Sequence, residues 1–306
     1  MPSPHVGSLA RGTPVRDALD GAVTAIAAAG CETPRLDAEL LLAQALGISR
    51  ERLLMACGRP LVGGARHLDG DEELVVAGTA VRTFQDFVRR RSVQREPVAY
   101  ILGRRHFRRL ELSVDPRVLI PRPETELLVE VGLAMPEGWR ALDVGTGSGA
   151  VALALKDERS GLEIAGSDLS ADALALADAN GERLGLDVRW LEADLLEGVP
   201  DEFDAILSNP PYVPDRDSSM LAPEILRHEP HSALFAGADG LDVIRSLIEQ
   251  VAARSSVRLL ALEVGAGQAL AVCELMRAAG FPLVRTELDL SGIERVVVGE
   301  KVGVRP

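Results

Sequence analysis

The stretch Phe203-Asp204-Ala205-Ile206-Leu207-Ser208-Asn209-Pro210-Pro211-Tyr212 runs from an apolar strand straight into two prolines. Phe203 to Ser208 reads as a strand whose centre, Asp204 to Leu207, is buried. Neither Pro210 nor Pro211 has an N–H, so neither can continue a ladder. The chain must leave the sheet there, at the carboxyl edge where open α/β sheets bind ligands. It arrives carrying an Asn side-chain oxygen, carbonyls with no neighbouring N–H, and the aromatic ring of Tyr212. That set can grip a planar –NH2 group.

A carboxamide nitrogen is a poor nucleophile because its lone pair is delocalised into the carbonyl. The Asn209 side-chain oxygen and the Pro210 carbonyl can accept its two N–H bonds. Such bonds orient the nitrogen and favour the electron-depleted NH2 that develops as it attacks. Tyr212 can stack on the planar group. The plainer alternative is a rigid strand exit with no ligand.

Upstream, Asp143-Val144-Gly145-Thr146-Gly147-Ser148-Gly149 follows one strand and opens a helix. Its glycines let backbone approach a ligand closely. Asp168 ends the next strand, where a carboxylate can hydrogen-bond ribose hydroxyls. The helix start favours a pyrophosphate, which supports a nicotinamide dinucleotide. However, the third glycine comes one residue too early for that fingerprint. A nucleoside cofactor without phosphate, such as S-adenosylmethionine, fits better than a dinucleotide or a plain tight turn. Asp194-Leu195 follows the third strand, either near an adenine edge or as an exposed loop. Together these features point to methylation of a planar amide or amine nitrogen.

The surrounding chain sets the fold class. Strands are expected at Ala141–Val144, Leu162–Ser167, Val188–Leu191, Phe203–Ser208, Arg258–Val264, Leu283–Leu290 and Glu294–Gly299. Helices alternate at Ala150–Lys156, Ala171–Arg183, Asp242–Ala253 and Gln268–Ala279. Only Ser291-Gly292-Ile293 separates the last two strands, which makes them antiparallel, because a parallel crossover needs about a dozen residues. The expectation is a doubly wound, mostly parallel seven-stranded α/β sheet with one reversed strand.

Before the sheet, helices are expected at Val15–Ala29, Leu36–Leu46, Glu51–Ala56 and Asp71–Arg91, with a Gly-rich loop at 58–70. Tyr100–Gly103 and Leu110–Val114 read as the strands of a hairpin. Pro123 suits the first position of a helix running to about Ala134. The expected organisation is a helical bundle at 1–95, a β-hairpin linker at 96–120 and a catalytic domain at 121–306.

Composition narrows the function classes. The 306 residues carry a net charge of −13, which argues against direct nucleic-acid binding as the main task. Arg89, Arg90, Arg91, Arg95, Arg104, Arg105, Arg108 and Arg109 form a local cluster, either a solvated face or a docking surface. Cys31, Cys57 and Cys273 show no metal or redox spacing, which fits a reducing cytoplasm. No metal site and no membrane span are expected. Arg227-His228-Glu229-Pro230-His231 can be read as a metal or acid/base group, a lid beside Asn209, or a surface loop.

These segments resemble the release-factor glutamine methyltransferases (the HemK or PrmC family). The resemblance covers nearly the whole chain. It is carried by Glu96–Gly103, Val118-Leu119-Ile120-Pro121-Arg122-Pro123-Glu124-Thr125-Glu126, Gly145–Gly149, Ser208–Tyr212, Ala238–Asp242 and Asp289–Gly292. The proline-rich segment around Pro121 is far more specific than the glycine motif. The resemblance implies a class I S-adenosylmethionine-dependent methyltransferase with a small N-terminal helical domain. It implies methyl transfer to the glutamine of the Gly-Gly-Gln loop in class I peptide-chain release factors, leaving S-adenosylhomocysteine. Gly145, Thr146, Gly147, Ser148, Gly149, Asp168, Asp194, Leu195 and Asn209 would then lie near the cofactor, and Asn209 to Tyr212 near the glutamine. Some members place a Trp where this chain has Leu195. A ribosomal-protein glutamine is an alternative substrate, and adenine N6 of DNA a more distant one.

Overall fold

The computed structural model describes residues 13–57 and 75–301. The loop expected at 58–70 lies outside them. The chain divides into two compact units. One runs to Gly103 and includes Pro223–His228; the other comprises Arg104–Ala222 and the chain from Glu229 onward.

The first unit is built on helices α1 (Val15–Ala28), α2 (Pro34–Leu46), α3 (Arg50–Ala56), α4 (Thr79–Ser92) and α5 (Val98–Leu102). Two short strands, β1 (Thr13–Pro14) and β2 (Val75–Val76), pair antiparallel. Leu19, Ile26, Leu41, Leu42, Leu53 and Phe84 form its core. Burying each such side chain contributes about 1.5–3 kcal/mol. Two expectations are corrected here. Of the helix expected over Asp71–Arg91, residues 71–74 lie outside the described residues; the β-branched pair Val75-Val76 forms a strand, and the helix runs from Thr79. Tyr100–Gly103 is not a strand but the end of α5. Pro97 fixes the backbone at its start, and Ile101 joins the helical core.

The second unit opens with a hairpin, β3 (Arg104–Phe107) and β4 (Leu110–Ser113). A 3₁₀ turn at Pro123–Thr125 then leads into α6 (Glu126–Leu133). The remainder runs β5 (Arg140–Val144), α7 (Ala150–Glu158), β6 (Glu163–Asp168), α8 (Ala171–Leu184), β7 (Arg189–Glu192) and β8 (Ala205–Ser208). It continues with α9 (the Pro223–His228 helix of the first unit), α10 (Asp242–Ala252), β9 (Leu259–Glu263), α11 (Ala269–Ala278), β10 (Leu283–Leu288) and β11 (Glu294–Glu300).

Seven strands form one sheet in the order β10-β11-β9-β8-β5-β6-β7. Strands β9, β8, β5, β6 and β7 pair parallel, and β11 runs antiparallel to both of its neighbours, β9 and β10. The expected class is therefore observed. Both faces are covered. Leu207, Ala261 and Val298 face α6 and α7 on one side, while Ile206, Leu260 and Val297 face α10 and α11 on the other. This two-sided burial is why these strands read as unbroken apolar runs.

Candidate active site

The chain order reverses between β5 and β8, the switch point where such sheets bind ligands. The strand register then decides which residues meet. Val144 is level with Ser167 and with Ser208, and Ser208 with Leu262. One residue further on, Asp168, Gly145, Asn209 and Glu263 form a row across the carboxyl edge. Ser208 Oγ ties two of these strands together by donating to the Val144 carbonyl at 2.7 Å.

A cavity of about 880 Å³ opens over this row. Gly145, Thr146, Gly147, Ser148, Asp168, Asp194, Leu195, Asn209 and Pro211 all line it. Gly149, Pro210 and Tyr212 are not in its lining. Pro210 is buried and Tyr212 half-buried.

On the β5–β6 side, local structure fixes the groups. Gly145 sits at φ +71°, which side chains rarely adopt, and lets the chain turn off β5. Asp143 is buried beneath the loop. Its Oδ2 accepts from Thr146 Oγ1 at 2.6 Å and from the Ala152 N–H at 3.3 Å. Burial pushes its carboxyl up to about 7, against those two bonds. Asp168 accepts from the Gly147 N–H and the Ser170 N–H, both at 2.9 Å. Ser170 in turn caps α8 by accepting from Ala173 N–H. Leu195 holds a left-handed backbone at φ +53°, a strained conformation at a cavity wall.

On the β8–β9 side, the parts come from distant segments. Asn209 Nδ2 donates to Thr125 Oγ1 at 3.1 Å. The Tyr212 hydroxyl donates to Glu263 Oε1 at 3.2 Å. Glu263 is 1% exposed, and its Oε2 has no hydrogen-bond partner. Burial pushes its carboxyl up to about 7, although Thr125 and Tyr212 act to lower it. The Tyr212 phenol is raised by burial first and by the Glu263 charge second. Gln268 Nε2 donates to the Tyr212 carbonyl at 3.0 Å and to the Asp239 carbonyl at 3.3 Å. A Cβ on Gly240 would stand 2.3 Å from that Tyr212 carbonyl oxygen, so only glycine permits this approach.

The remaining sequence candidates separate clearly. Glu229 is buried and accepts from Ile120 N–H (3.1 Å) and Arg122 Nη2 (2.5 Å), bracing the segment before Thr125. His231 stacks edge-on against Phe235. No metal-binding cluster occurs among the described residues. Acids take up most of the arginine cluster. Arg89 pairs with Asp86, Arg90 with Glu96, Arg91 with Asp37 and Glu224, Arg95 with Glu224, Arg104 with Glu111, and Arg108 with Glu130 and Glu158. It is therefore not a continuous free cationic face. No helix among the described residues is long and apolar enough to cross a membrane.

The wall chemistry discriminates between cofactors. The cavity is lined by Asp143, Asp168, Asp172, Asp194 and Asp242, with Arg117 the lining cation. Arg117 is already held by Asp115 at 2.7 Å. Five carboxyl groups oppose a pyrophosphate and suit a cationic nucleoside with ribose hydroxyls. The residues present fit S-adenosylmethionine.

Comparison with known proteins agrees. The PrmC N-terminal domain profile matches residues 17–103, and the methyltransferase small domain profile matches 123–267. The release factor glutamine methyltransferase of Rhodospirillum rubrum is 40% identical over 293 residues, covering 94% of this chain and 85% of that protein. Its counterpart from Deinococcus radiodurans is 38% identical, covering 94% and 99%. This chain belongs to the release factor glutamine methyltransferase family. The fold is also that of the hMettl16 catalytic domain, solved in complex with a MAT2A 3′UTR hairpin. That likeness has 17% identity, a TM-score of 0.52 and coverage of 64% of this chain and 77% of that one.

Three members of the site carried no sequence signal strong enough to assign them. Thr125 lay inside the quoted proline-rich segment without a role. Glu263 lies inside the strand read over Arg258–Val264 and had no role there. Gln268 marked only a helix start. The segments around Thr125, Asn209 and Gly240, far apart in sequence, converge here.

Proposed function

We propose that this chain transfers a methyl group from S-adenosylmethionine to the side-chain amide nitrogen of the glutamine in the Gly-Gly-Gln loop of class I peptide-chain release factors. The relationship to release factor glutamine methyltransferases, 40% identical across 94% of the chain, carries this reading. S-adenosylmethionine would supply an electrophilic methyl on a sulfonium and leave as S-adenosylhomocysteine. Gly145, Thr146, Gly147, Ser148 and Gly149 would hold the cofactor through backbone. Asp168 would accept from its ribose hydroxyls, and Asp194 and Leu195, which line the same cavity, would border its base.

Asn209 Oδ1 and the Pro210 carbonyl accept the two N–H groups of the substrate amide. The nitrogen then loses its in-plane freedom, and developing positive charge on it meets two oxygens. Pro211 and Tyr212 bound the planar group. The amide proton leaves after transfer, so no strong general base is required. The N-terminal helices, residues 1–95, recognise the release factor. The hairpin region 96–120 links them to the catalytic region 121–306, and the reaction takes place in the cytoplasm.

Incubation with labelled S-adenosylmethionine and a purified class I release factor, followed by mass mapping, tests the assignment. Label on the Gly-Gly-Gln glutamine is expected. Label on duplex DNA or on a ribosomal protein instead would overturn the substrate.

A further inference from the structure

We infer that Glu263 and Thr125 are positioning residues that set which way the Asn209 side-chain amide points. The inference deepens the proposed function, since that reading gives the amide its task. An Asn side chain can turn its oxygen or its NH2 toward a ligand at almost equal steric cost. Only the oxygen can accept a substrate N–H. Asn209 Nδ2 is committed to Thr125 Oγ1, which leaves Oδ1 free.

That commitment needs a second one. A threonine hydroxyl is both donor and acceptor. If its proton were unengaged, it could rotate, donate to Asn209 Oδ1 and hold the flipped amide equally well. Glu263 removes this freedom. Its carboxyl is 1% exposed, takes the Tyr212 hydroxyl on Oε1 and also feels the Thr125 hydroxyl. Its Oε2 is buried and makes no hydrogen bond, while its Oε1 is taken by Tyr212. A carboxylate only accepts, so a Thr125 hydroxyl acting on Glu263 can do so only as a donor, which leaves its lone pairs for Asn209. Donors therefore run one way, from Asn209 to Thr125 to Glu263, with Tyr212 joining at the end. The register places Glu263 one strand from Asn209 at the same level.

Glu263→Gln keeps the volume but adds N–H donors where only acceptors stood. Thr125→Val removes the relay, and Thr125→Ser preserves it. Two readouts on the full chain test this: the Asn209 side-chain ¹⁵N amide pair by NMR, assigned by its loss in Asn209→Ala, and steady-state kinetics with a full-length release factor. Glu263→Gln and Thr125→Val should each move the amide pair. Each should lower kcat by about 10²-fold, with KM for the release factor and cofactor affinity within about threefold. Thr125→Ser should restore both readouts. The double variant should lose no more than Thr125→Val alone, because both act through one relay. An unmoved amide pair in Glu263→Gln, or losses that multiply in the double variant, would overturn the inference. If wild type transfers nothing to a release factor while Glu263→Gln still moves the Asn209 pair, the substrate reading fails and the positioning role stands.

Discussion

Two buried acids stand near the carboxyl edge of the sheet, and their surroundings differ. Asp143, under the glycine loop, is satisfied by Thr146 and Ala152, three and nine residues away. Glu263, at the end of β9, takes one bond from Tyr212, 51 residues away, and keeps an oxygen without a partner. The β5–β6 side is thus built from partners close in sequence, with Asp168 reaching back to the Gly147 N–H 21 residues earlier. The β8–β9 side is assembled from Thr125, Asn209, Tyr212, Gln268 and Glu263, which only the finished fold brings together. A self-contained loop suits holding a cofactor. A long-range assembly with one uncompensated acceptor suits imposing direction on a neighbouring group.

Separate variants should separate the two sides. The largest effect is expected at Asn209→Ala, which removes the amide acceptor. The kcat for release-factor methylation should fall about 10²–10³-fold, as for loss of one preorganised hydrogen-bonding group. Cofactor affinity, measured by calorimetry, should change little. A large loss of cofactor binding would mean that the two sides are not independent. The reciprocal variant, Asp168→Ala, should weaken cofactor binding by about tenfold to 10²-fold, since a hydrogen bond to a charged group contributes about 1.5–3 kcal/mol. At saturating cofactor its kcat should largely recover.

The same contrast explains how much could be read from the chain beforehand. The glycine loop, Asp168 and the alternating strands were legible because each is encoded within a short window: a strand, a turn, a helix start. The reversed last strand was legible from the three-residue turn at Ser291–Ile293. Asn209 was legible because two prolines force a strand to end. The partners of Asn209 were not. Thr125 reaches it only through α6 packing on the sheet, and Glu263 only through the β8–β9 register. Tyr100-Ile101 misled because a five-residue helix has too few turns for its period to show against a strand.

A smaller effect should come from Gly240→Ala. Its φ is +77°, and the added Cβ would press on the Tyr212 carbonyl oxygen. Strain and overpacking together should cost about 1–3 kcal/mol of stability by thermal or urea unfolding. Because Gln268 ties this loop to Tyr212, kcat should fall while cofactor affinity holds. A variant as stable and as active as wild type would detach the Asp239-Gly240 turn from the β8–β9 side.

The smallest expected effect is a pH dependence common to both acids. Asp143 and Glu263 are each pushed up to about 7 by burial, from ordinary values of 3.8 and 4.5. The folded state therefore holds these protons more tightly than the unfolded chain. Their contribution to stability is fully present below about pH 4 and is lost as pH rises through about 7. Above that, the fold must carry two ionised buried carboxylates. The groups bearing on Glu263 are Thr125, Tyr212, Arg295 on β11 and Glu124; on Asp143 they are Thr146, Ala152 and the like charge of Asp168. Asp143→Asn and Glu263→Gln should each gain stability relative to wild type between pH 5 and pH 8, read as the difference in melting temperature at each pH. The kinetics should then part the two acids. As pH falls below 7, protonated Glu263 becomes a donor and the Thr125 relay loses its direction, so wild-type kcat should decline. That decline should persist in Asp143→Asn and vanish in Glu263→Gln, because only the acid on the β8–β9 side communicates with Asn209.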